Sequence, residues 1–273
     1  MPGAVFTMGA TAGAAPAADR PSHRVELTAY CIDRTEVTVW AWRACEAAGE
    51  CPAAPTTVDA ASYERAEDAA FWSRFCNGGR RDRDAHPINC VDWWQADTFC
   101  HWSGGRLPTE AEWEYAGRGQ DLRTYPWGED FPDATRANAS RIEARRFMAT
   151  QGESEWDTLD GGDDGWPTTS PVGFFAAPRG ASPFGLHDMI GNVREWTADW
   201  YAPYVDEALA VNPQGPPTGP GRVVRGGSWR DSDAASLRVT TRDFREPGHR
   251  TSNLGFRCVR APSHARAADR TGG

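Results

Sequence analysis

Hydrophobic and polar positions alternate loosely over His23-Arg-Val-Glu-Leu-Thr-Ala-Tyr30, the period of an extended segment, before Cys31-Ile-Asp-Arg-Thr-Glu-Val-Thr38 leads into a helix. Thr38 is placed to cap that helix and Gly49 to end it. A second helix is predicted from Asp92, with Gln95 in the reciprocal capping position, Ala96, Phe99 and Cys100 on one face, and a stop at Ser103-Gly-Gly105. In Arg106-Leu-Pro-Thr-Glu-Ala-Glu-Trp-Glu-Tyr-Ala116, Thr109 and Glu112 form a capping box behind Pro108. Trp113 and Ala116 mark its buried face, and Gly117 or Gly119 its exit. Val5-Phe-Thr-Met8 reads as a strand. From about 120 to 222 the chain is rich in Gly, Pro, Asp and Trp and nearly free of helical periodicity, with Pro171-Val-Gly-Phe-Phe175 among its short strand-like pieces. Its aromatic content is too high for disorder, so something must hold it in place. Beyond it come a strand at Arg222-Val-Val-Arg225, a helix or turn around 232 to 242, and a closing strand at Gly255-Phe-Arg-Cys-Val-Arg260.

Composition narrows the reading. The 273 residues, 40% of them hydrophobic and 25% charged, are enough for one globular domain over 1–261 with a flexible tail over 262–273. With 28 glycines, 20 prolines and 13 tryptophans, much of the chain should be ordered but irregular, and loops should carry the site. All 29 basic residues are arginine, which reads as GC-rich coding in a bacterial gene. A net charge of −9 without a basic run argues against nucleic acid or anionic lipid as partner and suits cation binding. No apolar window approaches a membrane span and no signal-peptide pattern is present, which predicts no membrane insertion; the abrupt start at Val5 reads as following a removed leader or upstream module. The seven cysteines lack zinc spacing, so a disulfide framework with one odd thiol is expected, with Cys45 paired to Cys51 and Cys76 to Cys90 by spacing. This places the chain in an extracytoplasmic or secreted setting; a cytoplasmic protein with reduced cysteines is the alternative.

The segments Asp33-Arg-Thr-Glu-Val-Thr38, His86-Pro-Ile-Asn89 with Val91-Asp-Trp93, Arg106 to Tyr115, Tyr125-Pro-Trp-Gly128, Asp188-Met-Ile-Gly-Asn-Val-Arg-Glu-Trp196, Arg225-Gly-Gly-Ser-Trp229 and Asn253-Leu-Gly-Phe-Arg-Cys258 occur in this order. Together they resemble the formylglycine-generating enzyme family, or sulfatase-modifying-factor domain, over about residues 5 to 260. The resemblance implies an α+β fold, an elaborated C-type-lectin-like architecture with little regular secondary structure. It implies a disulfide between Cys100 and Cys258. It also implies structural calcium, one ion at Asn138, Ala139, Asp164 and Trp166 and another at Asp188, Gly191, Val193 and Glu195, whose carboxylates and amide are hard ligands. Family members oxidise a cysteine of a sulfatase peptide to formylglycine with oxygen and a copper ion held by two thiolates. The corresponding positions here are Asp231 and Ser236, and because copper(I) wants thiolates, copper is not expected. Arg194 stands where the family often has a tryptophan lining the substrate groove.

The expected function is therefore a catalytically divergent member of that family, a monomer binding a peptide or small-molecule ligand. Ser228, Asp231, Ser236 and Arg194 are the cleft candidates, and Trp229 and Trp196 with Arg194, joined by Trp200 and Tyr201, are candidates to line a ligand groove, against the plainer reading that tryptophan fills core. The alternative is an oxidoreductase of different chemistry, in natural-product or sulfur metabolism, using the same cleft; a diversified lectin-like receptor is a third. Asp231, Asp233, Ser236 and His249 show no hydrolase spacing, and the six histidines show no ligand pair, so they are read as structural or surface groups.

Overall fold

Local capping chemistry starts three helices where the sequence places them. In the computed structural model, which describes residues 1–11, 15–176, 179–206 and 208–262, Thr38 Oγ1 accepts from the Ala41 N–H at 3.1 Å and opens α1 (Val39–Ala47), and Gly49 leaves it with φ +76°. Asp92 and Gln95 cap α3 (Trp93–Trp102) reciprocally at 2.9 and 3.0 Å. Thr109 and Glu112 do the same for α4 (Glu110–Arg118) at 2.8 and 3.2 Å. Each such cap is worth about 1 kcal/mol.

Three small sheets surround these helices. β1 (Ala4–Met8) runs antiparallel to β2 (His23–Leu27), with Ala4 opposite Leu27, and β5 (Ala210–Val211) adds in parallel to β2. β3 (Cys31–Ile32) pairs with β9 (Val259–Arg260). The central sheet has the order β7 (Arg242–Arg245), β6 (Arg222–Arg225), β4 (Arg194–Trp200), β8 (Leu254–Gly255), antiparallel except for the β4–β8 pair. The core between α1, α3 and this sheet is aromatic: Trp42 stacks on Phe99 at 5.7 Å, and Phe99 meets Phe256 edge-on at 5.5 Å. The Cys100–Cys258 disulfide lies in that core and staples α3 to the chain entering β9. Cys45–Cys51 and Cys76–Cys90 are also bonded, leaving Cys31 free and exposed. Three disulfides are the pattern of an oxidising environment.

Every residue of α4 is buried, its carboxylates included. Arginines meet them: from distant segments, Arg242 binds Glu110 at 2.6 and 2.8 Å and Arg225 bonds to Glu114, and from the end of the helix itself Arg118 binds Glu114 at 3.0 Å. This helix is thus held by ion pairs as well as by Trp113 and Tyr115. Asp199 of β4, whose Oδ2 accepts from the Glu110 N–H at 2.8 Å, lines a cavity of about 550 Å³ with Trp200, Tyr204 and Arg242. Burial, and next the charge of Glu110, push its carboxyl up to about 8 from the usual 3.8. The folded chain therefore keeps a proton that the unfolded chain gives up near its own carboxyl pKa. The stability is fully present below that pKa and is lost as pH rises towards about 8, by on the order of a few kcal/mol. Asp199→Asn is expected to flatten this slope and to melt above the parent at about pH 9. Thermal melts across pH read it; an unchanged slope would mean that Asp199 is ionised in the fold.

Several expected elements differ. Pro171 to Phe175 forms turns, not a strand, because Gly173 adopts φ +75° and the Phe174 N–H closes a turn on the Pro171 carbonyl at 3.2 Å. The stretch from 120 to 222 contains α5 (Ile142–Thr150) as well as β4 and β5. Before it, α2 (Ala66–Ser73) was also not expected. Both helices start at an arginine that makes no side-chain cap bond. Residues 232 to 242 are turns leading into β7, and the closing strand is divided between β8 and β9, which belong to different sheets. Past Pro262, the expected tail lies outside the described residues.

Candidate ligand cleft and cation sites

The strand β6 ends at Arg225, and after Gly226-Gly227 a turn presents Ser228 to Asp231 beside the start of β4. Arg194, the first residue of β4, donates to Asp231 Oδ1 at 2.6 Å and to Asp243 Oδ2 at 3.2 Å. The other Asp231 oxygen accepts from Ser228 Oγ at 2.8 Å, and Ser228 Oγ in turn accepts from Asn253 Nδ2 at 2.9 Å. Arg194, Asp231 and Asn253 line a cavity of about 390 Å³ together with Ser62, Tyr63, Arg230, Arg245, His249 and Thr251. Arg194 and Asp231 are thus brought together. Ser236 is not part of the group, since its Oγ and N–H both bind Asp233, at 2.6 and 2.9 Å.

Among the described residues no histidine is bonded to Ser228, whose hydroxyl donates to Asp231. His249, the histidine of the cleft, instead shares a 2.6 Å hydrogen bond with Ser62, which also donates to Asp59 at 2.9 Å. Burial, and next the Arg245 charge, hold His249 below its ordinary value.

Two of the tryptophan candidates, Trp196 and Trp229, are core. Trp196 is fully buried, with its indole N–H on the Val91 carbonyl at 3.0 Å. Trp229 is buried too, stacked on Trp156 at 6.3 Å and bonded to the Ser252 carbonyl. Neither turns an open face to the cleft. Trp200 packs on Arg222 and lines the larger cavity, and Tyr201 packs on Phe244. The aromatic residue that does reach the cleft wall is Tyr63, from the segment before α2, which no pattern in the sequence singles out.

Two buried acidic clusters occupy the expected cation positions. In the first, Asp164 accepts from the Trp166 and Ala139 N–H groups at 2.9 and 3.3 Å and lies 3.4 Å from Arg141. Asn138 Oδ1 and both oxygens of Glu143, from α5, are buried there without a hydrogen-bond partner. Burial raises the Asp164 carboxyl to about 6; burial, and then the Asp164 charge, raise Glu143 to about 8. In the second, Asp188 adopts φ +53° and accepts from the Gly173 N–H at 2.5 Å. Glu36 lies against it with both oxygens buried and unpartnered, and Glu195 is held by Arg257 through two 2.7 Å bonds. Three carboxylates against one guanidinium leave excess negative charge in a buried place, so burial raises Asp188 to about 6 and Glu36 well above its ordinary value. A proton or a cation relieves such a site.

Val193 is buried beside the second cluster, and Gly191 joins the two: the Asn192 N–H donates to the Asn138 carbonyl at 2.9 Å, and a β-carbon at Gly191 would collide with that same carbonyl. Among the described residues no three His, Cys, Asp or Glu side chains are grouped as ligands of one ion. A cation here would need backbone carbonyl and amide oxygens to complete its shell, which calcium accepts. Glu36 and Glu143 were not foreseen as part of these clusters, although Glu36 stands inside the Asp33 to Thr38 motif.

A profile described as the sulfatase-modifying factor enzyme 1-like domain matches residues 1–262. The chain belongs to the formylglycine-generating enzyme family. It is 35% identical over 289 residues to a formylglycine-generating enzyme of Streptomyces coelicolor, covering 95% of this chain and 87% of that protein. It is 36% identical over 197 residues to a Mus musculus protein named inactive C-alpha-formylglycine-generating enzyme 2, covering 70% of this chain and 54% of that one. In fold it is similar to PvdO from Pseudomonas aeruginosa, with a TM-score of 0.67, 22% identity, and 96% and 92% of the two chains covered. The mixed helix and sheet architecture with little regular secondary structure is thus the family's fold. Among the described residues no helix is long and apolar enough to cross a membrane.

Proposed function

We propose that this chain is a ligand- or peptide-binding member of the family in which copper-dependent cysteine oxidation has been lost. One observation carries the reading: the two departures from the family's motif, Arg194 and Asp231, are bonded to each other at 2.6 Å. The position of a copper thiolate is occupied by a carboxylate that already has an arginine and a serine as partners, and the second thiolate position, Ser236, is engaged with Asp233. Copper(I) is a soft ion that favours sulfur ligands over a carboxylate or a hydroxyl. Six cysteines are in disulfides and the seventh, Cys31, is exposed and alone, so among the described residues the chain does not fit that ion. The name of the mouse relative supports the view that the family includes members without the activity.

Calcium fits better. The unpartnered oxygens of Glu36, Glu143 and Asn138 are hard donors in sites with too much negative charge. The ions would order the irregular stretch from Asn138 to Glu195, and Glu36 would add a ligand to the second site. An extracytoplasmic location fits both the disulfides and a calcium requirement.

A metal titration on the full chain tests this. Calcium at about a hundredfold excess over its dissociation constant is expected to raise stability by roughly 3 kcal/mol, a chelator to reverse that, and Glu36→Gln to remove much of the shift. Competition with a copper(I) chelator is expected to find no tight site; tight copper binding or a melting temperature indifferent to calcium would contradict the reading.

A further inference from the structure

The chain carries a net charge of −9, yet its cleft is lined by three guanidinium groups, those of Arg194, Arg230 and Arg245. Two carboxylates answer them. Asp231 binds Arg194, and Asp243 is shared between Arg194 at 3.2 Å and Arg245 at 2.7 Å. Arg230 has no ion-pair partner among the described residues. Its guanidinium lies 3.7 Å over the Trp72 ring, beside the Tyr63 hydroxyl. Trp72 is braced in turn by Phe75 at 5.7 Å, Trp156 at 5.9 Å and Trp229 at 6.5 Å, so a packed aromatic wall presents the cation. His249, held below its ordinary value, adds no positive charge at neutral pH.

Of the three guanidinium groups, Arg194 and Arg245 are paired with carboxylates, and Arg230 alone is without an ion pair among the described residues. We propose that the cleft takes its ligand through a single carboxylate seated on Arg230, an inference that rests on the ligand-binding role proposed above. A guanidinium fork takes a planar carboxylate by two parallel N–H···O bonds, and the Tyr63 hydroxyl is at hand for another. A carboxylate pairs with the one guanidinium that has no ion-pair partner of its own among the described residues. The cavity of about 390 Å³ is near the lower end for small-ligand pockets, which suits a chain terminus or a small acid.

The test uses three probes on the isotope-labelled full chain: an equimolar mixture of acetylated tripeptides varied at their last residue, with free carboxylates; the same mixture as carboxamides; and a mixture of N-acetyl amino acids. The readout is the Arg230 Nε–Hε resonance together with the affinity. The free acids are expected to shift that resonance, to bind about tenfold or more tighter than the carboxamides, and to lose this margin in Arg230→Gln but not in Arg74→Gln. Melting curves show that both variants are folded, and Arg230→Lys retains part of the margin. Tripeptide acids alone binding identifies a peptide terminus as the source; N-acetyl amino acids binding equally well identifies a small acid; either supports the inference. Carboxamides that bind in the cleft as tightly as the acids overturn the carboxylate but keep the ligand-binding role. No shift in any cleft resonance with any probe overturns both.

Discussion

Arg225→Met is expected to destabilise the chain by roughly 3–5 kcal/mol, the cost typical of leaving a buried charge without its partner. Arg225 is fully buried. It bonds to Glu114, lies 3.5 Å from Glu110, and donates to the carbonyls of Val239, Thr240 and Thr241 at 3.0, 2.9 and 3.1 Å. Methionine fills similar volume but leaves Glu114 with only Arg118 and the Gly9 N–H, and three carbonyls without this donor. Because Arg225 ends β6 where the cleft turn begins, the loss should also loosen Ser228 and Asp231. Denaturant unfolding measures the cost, and a double variant with Glu114→Gln should be less destabilised than the sum of the two single changes. Simple additivity would mean that the pair acts through separate contacts.

The second large effect is that of the Cys100–Cys258 bond. Its ends are 158 residues apart, against 14 for Cys76–Cys90 and 6 for Cys45–Cys51. By loop-closure entropy, removing them as alanine pairs is expected to cost about 5, about 3 and about 2 kcal/mol respectively. The order is the sharper claim than the sizes, since the first bond also lies among Trp42, Phe99 and Phe256. Melting each pair variant under identical buffer tests it; a smaller loss for Cys100–Cys258 than for Cys45–Cys51 would put the stabilisation in local packing.

What the sequence makes legible here is what short range decides. Thr38, Asp92 with Gln95, and Thr109 with Glu112 act within a single turn, so their capping is visible in the residues themselves. The same holds for the two short-loop disulfides, whereas Cys100–Cys258 came only with the family resemblance. Helices α2 and α5 escaped because no side chain caps their starts, and β4, β6 and β8 are strands only by virtue of partners far along the chain. The Pro171 to Phe175 reading failed on the backbone: an apolar run looks extended until a glycine at φ +75° turns it. In the cleft, Arg194 and Asp231 were each recognised as a departure from the family pattern. That they bond to one another, 37 residues apart, required the fold. The indoles of Trp196 and Trp229 show the converse, since an aromatic near a motif does not reveal which way it faces.

The most direct test of the central claim is an oxidation assay. The chain, supplied with copper, a thiol reductant and oxygen, is incubated with a cysteine-containing sulfatase peptide beside the Streptomyces coelicolor relative, and the peptide is read by mass spectrometry. The relative is expected to form the aldehyde while this chain leaves the cysteine unchanged; oxygen-dependent formylglycine made by this chain would contradict the loss of the oxidase activity.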